Sequence, residues 1–80
     1  MVYCFLAPGF EEIEALATVD ILRRANIEVL TVGVGEDVII GSHQIPVLAD
    51  IREADVMLAV EIVIYALEPV MRFKHHNVSL

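Results

Sequence analysis

The order of apolar and polar positions predicts a strand, a helix and a second strand at the start of the chain. Val2–Leu6 and residues 27–34 are rich in β-branched and aromatic residues and carry apolar side chains on both sides of each strand. That pattern is typical of parallel strands that are covered on both faces. Residues 10–25 lie between the two strands, lack glycine and proline, and contain good helix formers. We therefore predict a β-α-β unit with a right-handed connection.

The residues that follow predict a hairpin. Val38–Ile40 and residues 45–48 would form its strands, and Pro46 restricts the second strand to a sheet edge or a strand start. Further along, residues 55–60 predict another parallel strand, whereas residues 61–73 fit either a strand or a helix broken by a proline. The sequence contains no repeat or linker, so we interpret residues 1–80 as a single α/β domain.

The predicted helix carries apolar residues on two faces. Ile13, Ala17 and Ile21 fall in one arc, while a second arc contains Ala15, Leu16, Val19 and Leu22. A helix that lies on its own sheet needs only one apolar stripe, so the other predicts a contact with a partner subunit. We expect a homo-oligomer that associates through the helix at four residues, namely Leu16, Val19, Asp20 and Arg24, of which the last two are spaced for an ion pair.

Charge and composition narrow the class of protein. Five Lys and Arg residues against twelve Asp and Glu residues produce a net charge of −7, which excludes the basic face that nucleic-acid binding requires. Hydrophobic residues make up 58% of the chain, too many for a disordered protein. The longest apolar run, residues 56–67, is too short to cross a bilayer. The single cysteine excludes an internal disulfide and fits a reducing compartment, so we expect a cytoplasmic protein without a membrane partner.

Few residues suggest a catalytic, metal-binding or cofactor-binding role from residue type and spacing alone. Cys4 lies in the middle of the first strand, where a cysteine is usually a small buried hydrophobe. His43, His75 and His76 show no metal-ligand spacing, and the glycines at 33 and 35 are too few for a dinucleotide fingerprint. We expect neither a metal nor a cofactor.

One long motif is more specific than any of these features. It runs Tyr3-Cys4-Phe5-Leu6-Ala7-Pro8-Gly9-Phe10-Glu11-Glu12-Ile13-Glu14-Ala15, and Gly41-Ser42-His43, Ile45-Pro46-Val47 and Ala49-Asp50 follow later. Residues 2–50 closely resemble the amino-terminal part of the ThiJ/PfpI family, the family of the parkinsonism-associated protein deglycase. Residues 51–80 diverge from it. The resemblance implies a partial flavodoxin-like parallel sheet within the class I glutamine amidotransferase-like fold, and a three-layer sandwich that these residues leave incomplete.

The resemblance also assigns a role to Glu14. In the family, the matching glutamate hydrogen-bonds a cysteine thiol on a nucleophile elbow and supports its low pKa. Members are linked to deglycation, glyoxalase-type conversion of methylglyoxal, stress responses or peptidase activity, and many are homodimers. This chain departs from the pattern, because Ala59-Val60-Glu61-Ile62 stands where a Leu-Pro-Gly-Gly oxyanion turn is expected and no Ala-Ile-Cys elbow is present.

Two functions therefore remain open. The chain is either the amino-terminal fragment of a ThiJ/PfpI-like cysteine enzyme, inactive alone with Glu14 as a catalytic remnant, or a non-enzymatic dimerisation or interaction module.

Overall fold

The computed structural model describes residues 1–56, 62–66 and 72–75. Its elements are, in chain order, β1 (Val2–Leu6), α1 (Glu12–Arg24), β2 (Val29–Gly33), β3 (Val38–Ile40), β4 (Pro46–Leu48), β5 (Ile51–Arg52), a 3-10 turn (Glu53–Asp55), β6 (Ile62–Ala66) and β7 (Arg72–His75). Within these residues one sheet has the strand order β5-β2-β1-β6-β7, and β3 pairs with β4 in a separate antiparallel hairpin. The predicted β-α-β unit and the partial flavodoxin-like sheet are confirmed.

Strand β1 lies between two parallel neighbours. Val2 pairs with Val29 of β2 on one side and with Ile62 of β6 on the other, and both registers continue to Leu6. β1 is therefore a central strand of the sheet, and its side chains alternate between the two faces. Both faces are packed, which explains why the apolar residues of β1 do not alternate with polar ones.

The two faces of the sheet belong to different clusters of apolar side chains. The face toward α1 and the hairpin contains Val2, Cys4, Leu6, Phe10, Ala15, Val19, Val29 and Ile39. On the opposite face Tyr3 and Val32 are buried, with Phe5, Leu30, Ile51 and Val56 packed against them. The helix therefore lies on one face of the sheet, and its position fixes the direction in which the carboxylates of its first turn point.

The helix places its two apolar stripes differently from our prediction. Ala15 and Val19 pack against the chain's own sheet, so Val19 is not available for the predicted partner contact. Ile13 and Ile21, in contrast, are 77% and 64% exposed. Asp20 and Arg24 do form the predicted ion pair, with a distance of 3.1 Å. The helical periodicity alone could not show which stripe packs on the sheet, because both stripes contain residues of similar size and hydropathy.

The prediction for residues 55–60 is wrong at its start. Asp55 ends a 3-10 turn instead of opening a strand, and residues 57–60 lie outside the described residues. Glu53 in that turn accepts a hydrogen bond from the backbone N–H of Gly35 at 2.8 Å, which favours a turn over an extended strand. The strand alternative for residues 61–73 is correct over Ile62–Ala66, which forms β6, and over Arg72 and Phe73, which begin β7.

Asp50, in the connection between β4 and β5, links this connection to α1 and β2. Its Oδ2 accepts hydrogen bonds from the backbone N–H and the hydroxyl of Thr31 at 2.9 and 3.1 Å, and from the Arg23 guanidinium at 2.9 Å. Burial raises the pKa of Asp50, but the Thr31 hydrogen bonds and the Arg23 charge outweigh burial and lower it below its ordinary value. The carboxylate thereby fastens the end of α1 and the β4–β5 connection to β2.

None of the helical segments in the described part of the chain combines the length and the apolar character that crossing a bilayer would require.

Candidate functional site

A tight turn connects β1 to α1 at the carboxyl edge of the sheet. Gly9 adopts a φ of +86°, a conformation that side chains other than glycine rarely tolerate, and thereby reverses the chain directly after Pro8. The N–H of Phe10 donates to the carbonyl of Ala7 at 3.1 Å, and the Phe10 side chain is completely buried. The turn therefore fixes where the helix begins, and with it the position of Glu11, Glu12 and Glu14.

Glu12 is the most strongly engaged of these carboxylates. It is 4% exposed, and its Oε2 accepts hydrogen bonds from the backbone N–H groups of His43 at 2.8 Å and Ile45 at 3.3 Å. Its Oε1 lies 3.1 Å from Nδ1 of His43 and accepts a hydrogen bond from the Ser42 hydroxyl at 3.3 Å. The Glu12 carboxylate thus serves as the acceptor for two backbone N–H groups of the β3–β4 loop, those of His43 and Ile45.

The hydrogen bonds determine the charge state of Glu12. Burial raises the pKa of the Glu12 carboxyl, but the hydrogen bonds from its own backbone N–H, from His43 and from Ile45 outweigh burial and lower the pKa to about 2. From the sequence, Glu12 is only one position of the family motif, with no role of its own. The backbone N–H groups that bind Glu12 belong to His43 and Ile45, which are 31 and 33 positions away in the sequence, so no local pattern reveals these hydrogen bonds.

Gly41 allows this close approach. A β-carbon at this position would overlap the Glu12 carboxylate, because it would lie closer to it than van der Waals contact allows. The backbone also joins the two segments, because Gly9 donates to the carbonyl of Ile40 at 2.8 Å and Ser42 donates to the carbonyl of Phe10 at 2.8 Å. The hairpin and the β1–α1 turn therefore form one hydrogen-bonded unit.

Glu14, the residue that the sequence motif singles out, is in a different situation. The residue is half-buried, and its Oε2 is fully shielded from solvent without any hydrogen-bond partner among the described residues. A buried carboxylate oxygen without a partner is costly, and such groups in folded proteins usually have a functional explanation. Glu14 lies in the first turn of α1, at the carboxyl edge where open α/β sheets place their active sites.

Cys4 does not fit the role of a nucleophile. Its side chain is completely buried in β1, and burial raises the pKa of the Cys4 thiol to about 11. Since the thiolate is the reactive form, the only cysteine in the sequence is inert near neutral pH. The interpretation of Cys4 as a buried small hydrophobe agrees with its position in the core.

The histidines do not come together as a group. His43 lies beside Glu11 and Glu12 at the start of the helix, with Nδ1 3.5 Å from Oε1 of Glu11. The hydrogen bond to Glu12 and the charges of both glutamates raise the pKa of His43 above its ordinary value. His75 pairs with Ile62 at the amino end of β6, the opposite end of the sheet, and His76 lies outside the described residues.

A cleft lies beside the carboxyl ends of β2 and β5. This cleft has a volume of about 350 Å³ and is lined by Gly33, Gly35, Glu36, Asp37, Arg52, Glu53 and Ala54. Arg52 donates to both carboxylate oxygens of Asp37 at 2.7 and 3.1 Å, and Glu53 accepts from the Gly35 backbone. Three of its four charged residues, Asp37, Arg52 and Glu53, therefore already have partners within the chain.

Comparison with known protein families identifies relatives of this chain. The family model of the DJ-1/PfpI family matches residues 1–65, which includes β1, α1, the hairpin and most of β6. The chain belongs to the DJ-1/PfpI family. Solved DJ-1 structures support the same conclusion on structural grounds, as described next, whereas no curated protein matches the chain significantly.

Three of these structures show the extent of the similarity. A mutant of a DJ-1 superfamily protein from Salmonella typhimurium is 44% identical with a TM-score of 0.65, over 68% of this chain and 30% of that one. Oxidised DJ-1 from Toxoplasma gondii is 35% identical with a TM-score of 0.62, over 64% and 28%. Schizosaccharomyces pombe DJ-1 is 27% identical with a TM-score of 0.64, over 70% and 31%. The matched region thus spans less than a third of the length of these DJ-1 proteins.

Proposed function

We propose that these residues form the glutamate-bearing amino-terminal unit of a DJ-1/PfpI cysteine enzyme, and that the 80-residue chain has no turnover alone. The observation that carries the proposal is the buried Oε2 of Glu14, which lacks a hydrogen-bond partner among the described residues. A cysteine thiolate or another polar group supplied at the carboxyl edge of the sheet would satisfy it. The only cysteine of the chain, Cys4, is buried in β1 and cannot take that role.

The family resemblance defines the chemistry of an intact site. A cysteine thiolate would attack a carbonyl carbon or an oxidant, and a carboxyl O–H of Glu14 would donate a hydrogen bond to the thiolate and stabilise this reactive form. Deglycase and glyoxalase-type reactions belong to this class. A reducing, cytoplasmic compartment fits such a thiol.

An activity assay tests the second half of the proposal, that the 80-residue chain has no turnover alone. The purified 80-residue chain should consume methylglyoxal no faster than buffer does, because the nucleophile is absent from its sequence. Turnover by the wild-type chain that disappears in Glu14→Gln would refute the proposal.

A stability measurement tests whether Glu14 serves chemistry instead of folding. Replacing it by an apolar side chain of similar size, Glu14→Leu, removes a buried oxygen that has no partner in the described structure, so the free energy of unfolding should stay the same or increase. The matched change Glu12→Leu should lower it clearly, because the β3–β4 loop would lose its acceptors. Urea unfolding of both variants makes the comparison, and a clear loss of stability in Glu14→Leu would contradict a catalytic assignment.

A second candidate function is association with another subunit. The helix exposes Ile13 and Ile21 on the side that faces away from the sheet, flanked by the exposed ion pair of Asp20 with Arg24. Apolar side chains in such a row favour burial against a second surface. With Val19 assigned to the core, the contact surface of a homo-oligomer would centre on Ile13, Ala17 and Ile21, with Leu16 at its margin.

Sedimentation measurements separate this function from the first. Ile13→Asp should shift the chain to a lower mass without changing its circular dichroism, because Ile13 has no role in the core. Leu48→Asp is the matched control, since Leu48 is 71% exposed but lies on the hairpin. A wild-type chain that stays monomeric at high concentration would exclude the association.

A further inference from the structure

A second set of donor groups converges at the start of α1, separate from Glu14. Glu11 and Glu12 come from the helix start, while Ser42 and His43 come from the hairpin loop. One ligating atom from each of Glu11, Glu12 and His43 lies within 4.8 Å of the others. Two carboxylates, an imidazole and a hydroxyl therefore face one another across two elements that are distant in sequence.

The distances from His43 Nδ1 to the two carboxylates are close to the edges of a metal coordination polyhedron. His43 Nδ1 lies 3.1 Å from Glu12 Oε1 and 3.5 Å from Glu11 Oε1. The Ser42 hydroxyl is 3.1 Å from that nitrogen and 3.3 Å from an oxygen of each glutamate. Ligands at the Zn–N and Zn–O bond lengths of roughly 2.0–2.2 Å are separated by about 3.3–3.5 Å in a tetrahedron. The distances from His43 Nδ1 to both carboxylates lie near this range, so these groups are spaced for a shared Zn²⁺ ion.

The second carboxylate oxygen of Glu12 keeps the set in place. Oε2 accepts the backbone N–H groups of His43 and Ile45, and the carboxylate is buried, so Oε1 is held toward Ser42 and the imidazole. Hydrogen bonds of this kind orient metal ligands in proteins and strengthen binding. They would persist when a metal binds at Oε1.

The charge at this position favours a cation. Glu11 and Glu12 bring two negative charges together, and the cationic group that contacts them among the described residues is the imidazole of His43. Arg23 and Arg24 lie at the other end of α1, where they interact with Asp50 and Asp20. A divalent ion would neutralise both carboxylates at once.

From these four observations we infer a binding site for a divalent transition metal, best matched by Zn²⁺, formed by Glu11, Glu12 and His43. Three protein ligands leave a fourth position for the Ser42 hydroxyl or for water, and zinc sites that are open to a water or a substrate likewise have three protein ligands. The sequence did not predict this site, because its histidines were grouped with one another and not with the glutamates of the helix start. The site is independent of the proposed role of Glu14.

Equilibrium dialysis of the full 80-residue chain against Zn²⁺ tests the inference. We expect one Zn²⁺ per chain bound at these residues, and an affinity lower by about tenfold or more in His43→Ala. Glu11→Gln should weaken binding as well, and both side chains are accessible enough for the variants to fold. Substitution with Co²⁺ should produce the intense visible absorption of a tetrahedral ion in the wild-type chain and not in His43→Ala.

The remaining histidines supply the matched control. The double variant His75→Ala/His76→Ala removes the other imidazoles of the sequence and should bind Zn²⁺ as the wild-type chain does. Absence of binding, equal affinity in His43→Ala, or loss of binding only in the double variant would each overturn the assignment. Circular dichroism of every variant confirms that the comparison is between folded chains.

Discussion

Two glutamates two positions apart in one helical turn have opposite environments. Glu12 accepts hydrogen bonds through both carboxylate oxygens, whereas Glu14 has a buried oxygen without a partner among the described residues. The hydrogen bonds of Glu12 explain its low pKa and its burial. Those of Glu14 would have to come from a group beyond the described structure. One carboxylate therefore stabilises the fold, and the other costs stability that a catalytic role would explain.

The close contact between Gly41 and Glu12 leads to a first prediction. Gly41→Ala should lower the free energy of unfolding by about 1–3 kcal/mol, because the added methyl group overlaps the Glu12 carboxylate and forces it away from the loop. Urea unfolding followed by circular dichroism measures the change.

A double-mutant cycle isolates that contact. In the Glu12→Ala background the same Gly41→Ala change should cost much less, since the carboxylate that it displaces is gone. Equal costs in the two backgrounds would show that the loss comes from the loop backbone and not from the contact with Glu12.

At the scale of elements, short side-chain hydrogen bonds fasten the helix, the hairpin and the sheet together. Glu12 joins α1 to the β3–β4 loop, and Asp50 joins the end of α1 to β2. Asp50 also completes the edge of β2 next to the two residues of β5 that pair with it, Val32 opposite Ile51 and Gly33 opposite Arg52. The two-residue strand β5 and Asp50 together therefore provide hydrogen-bond partners along this edge of β2.

The low pKa of Asp50 predicts how these connections respond to acid. Its pKa is lower in the folded chain than in the unfolded one, so its contribution is fully present above the unfolded value and is lost as the pH falls through the folded value. Asp50→Asn should therefore be less stable than the wild-type chain at neutral pH, and the difference should shrink below a pH of about 4.

Asp20→Asn is the matched control for that experiment. Asp20 forms an exposed ion pair along one helix, which contributes little to stability. Urea unfolding at a series of pH values compares the three chains, and a difference for Asp50→Asn that stays constant into acid would contradict the linkage.

Several elements could be predicted from sequence and others could not, for identifiable reasons. β1, α1 and the hairpin have long or strongly punctuated patterns, and Pro46 does begin β4 as its ring requires. β5 has two residues and no pattern to detect. The inward face of α1 depended on whether the Ile13 or the Val19 stripe fits the sheet, which only packing decides. Glu14 could be found from the family motif, whereas the hydrogen bonds of Glu12 join positions 31 residues apart and left no local signal.

At the scale of the whole molecule, Cys4 is a probe of global unfolding. Its thiol is completely buried in β1, which is paired on both edges, so a reagent reaches it only when the sheet opens. We predict that a thiol reagent modifies the native chain more slowly than the urea-unfolded chain by on the order of a thousandfold or more.

A relocated thiol controls for reactivity unrelated to folding. In a Cys4→Ala background, Ala25→Cys places the thiol at the exposed end of α1, where the modification rate should be nearly the same with and without urea. Rapid modification of Cys4 in native buffer would show that β1 opens without global unfolding.

The contacts between the β1–α1 turn and the hairpin also bear on how the chain is made. Translation releases the glutamates of the helix start well before the loop that receives them, because Glu12 and His43 are 31 positions apart. A nascent chain that has not yet exposed Gly41 to Ile45 must keep the Glu12 carboxylate in water, and the Gly9 and Ser42 backbone bonds to the opposite segment are still missing. The first β-α unit therefore leaves the ribosome before the hairpin that receives Glu12, and β6, which pairs with the other edge of β1, follows later still.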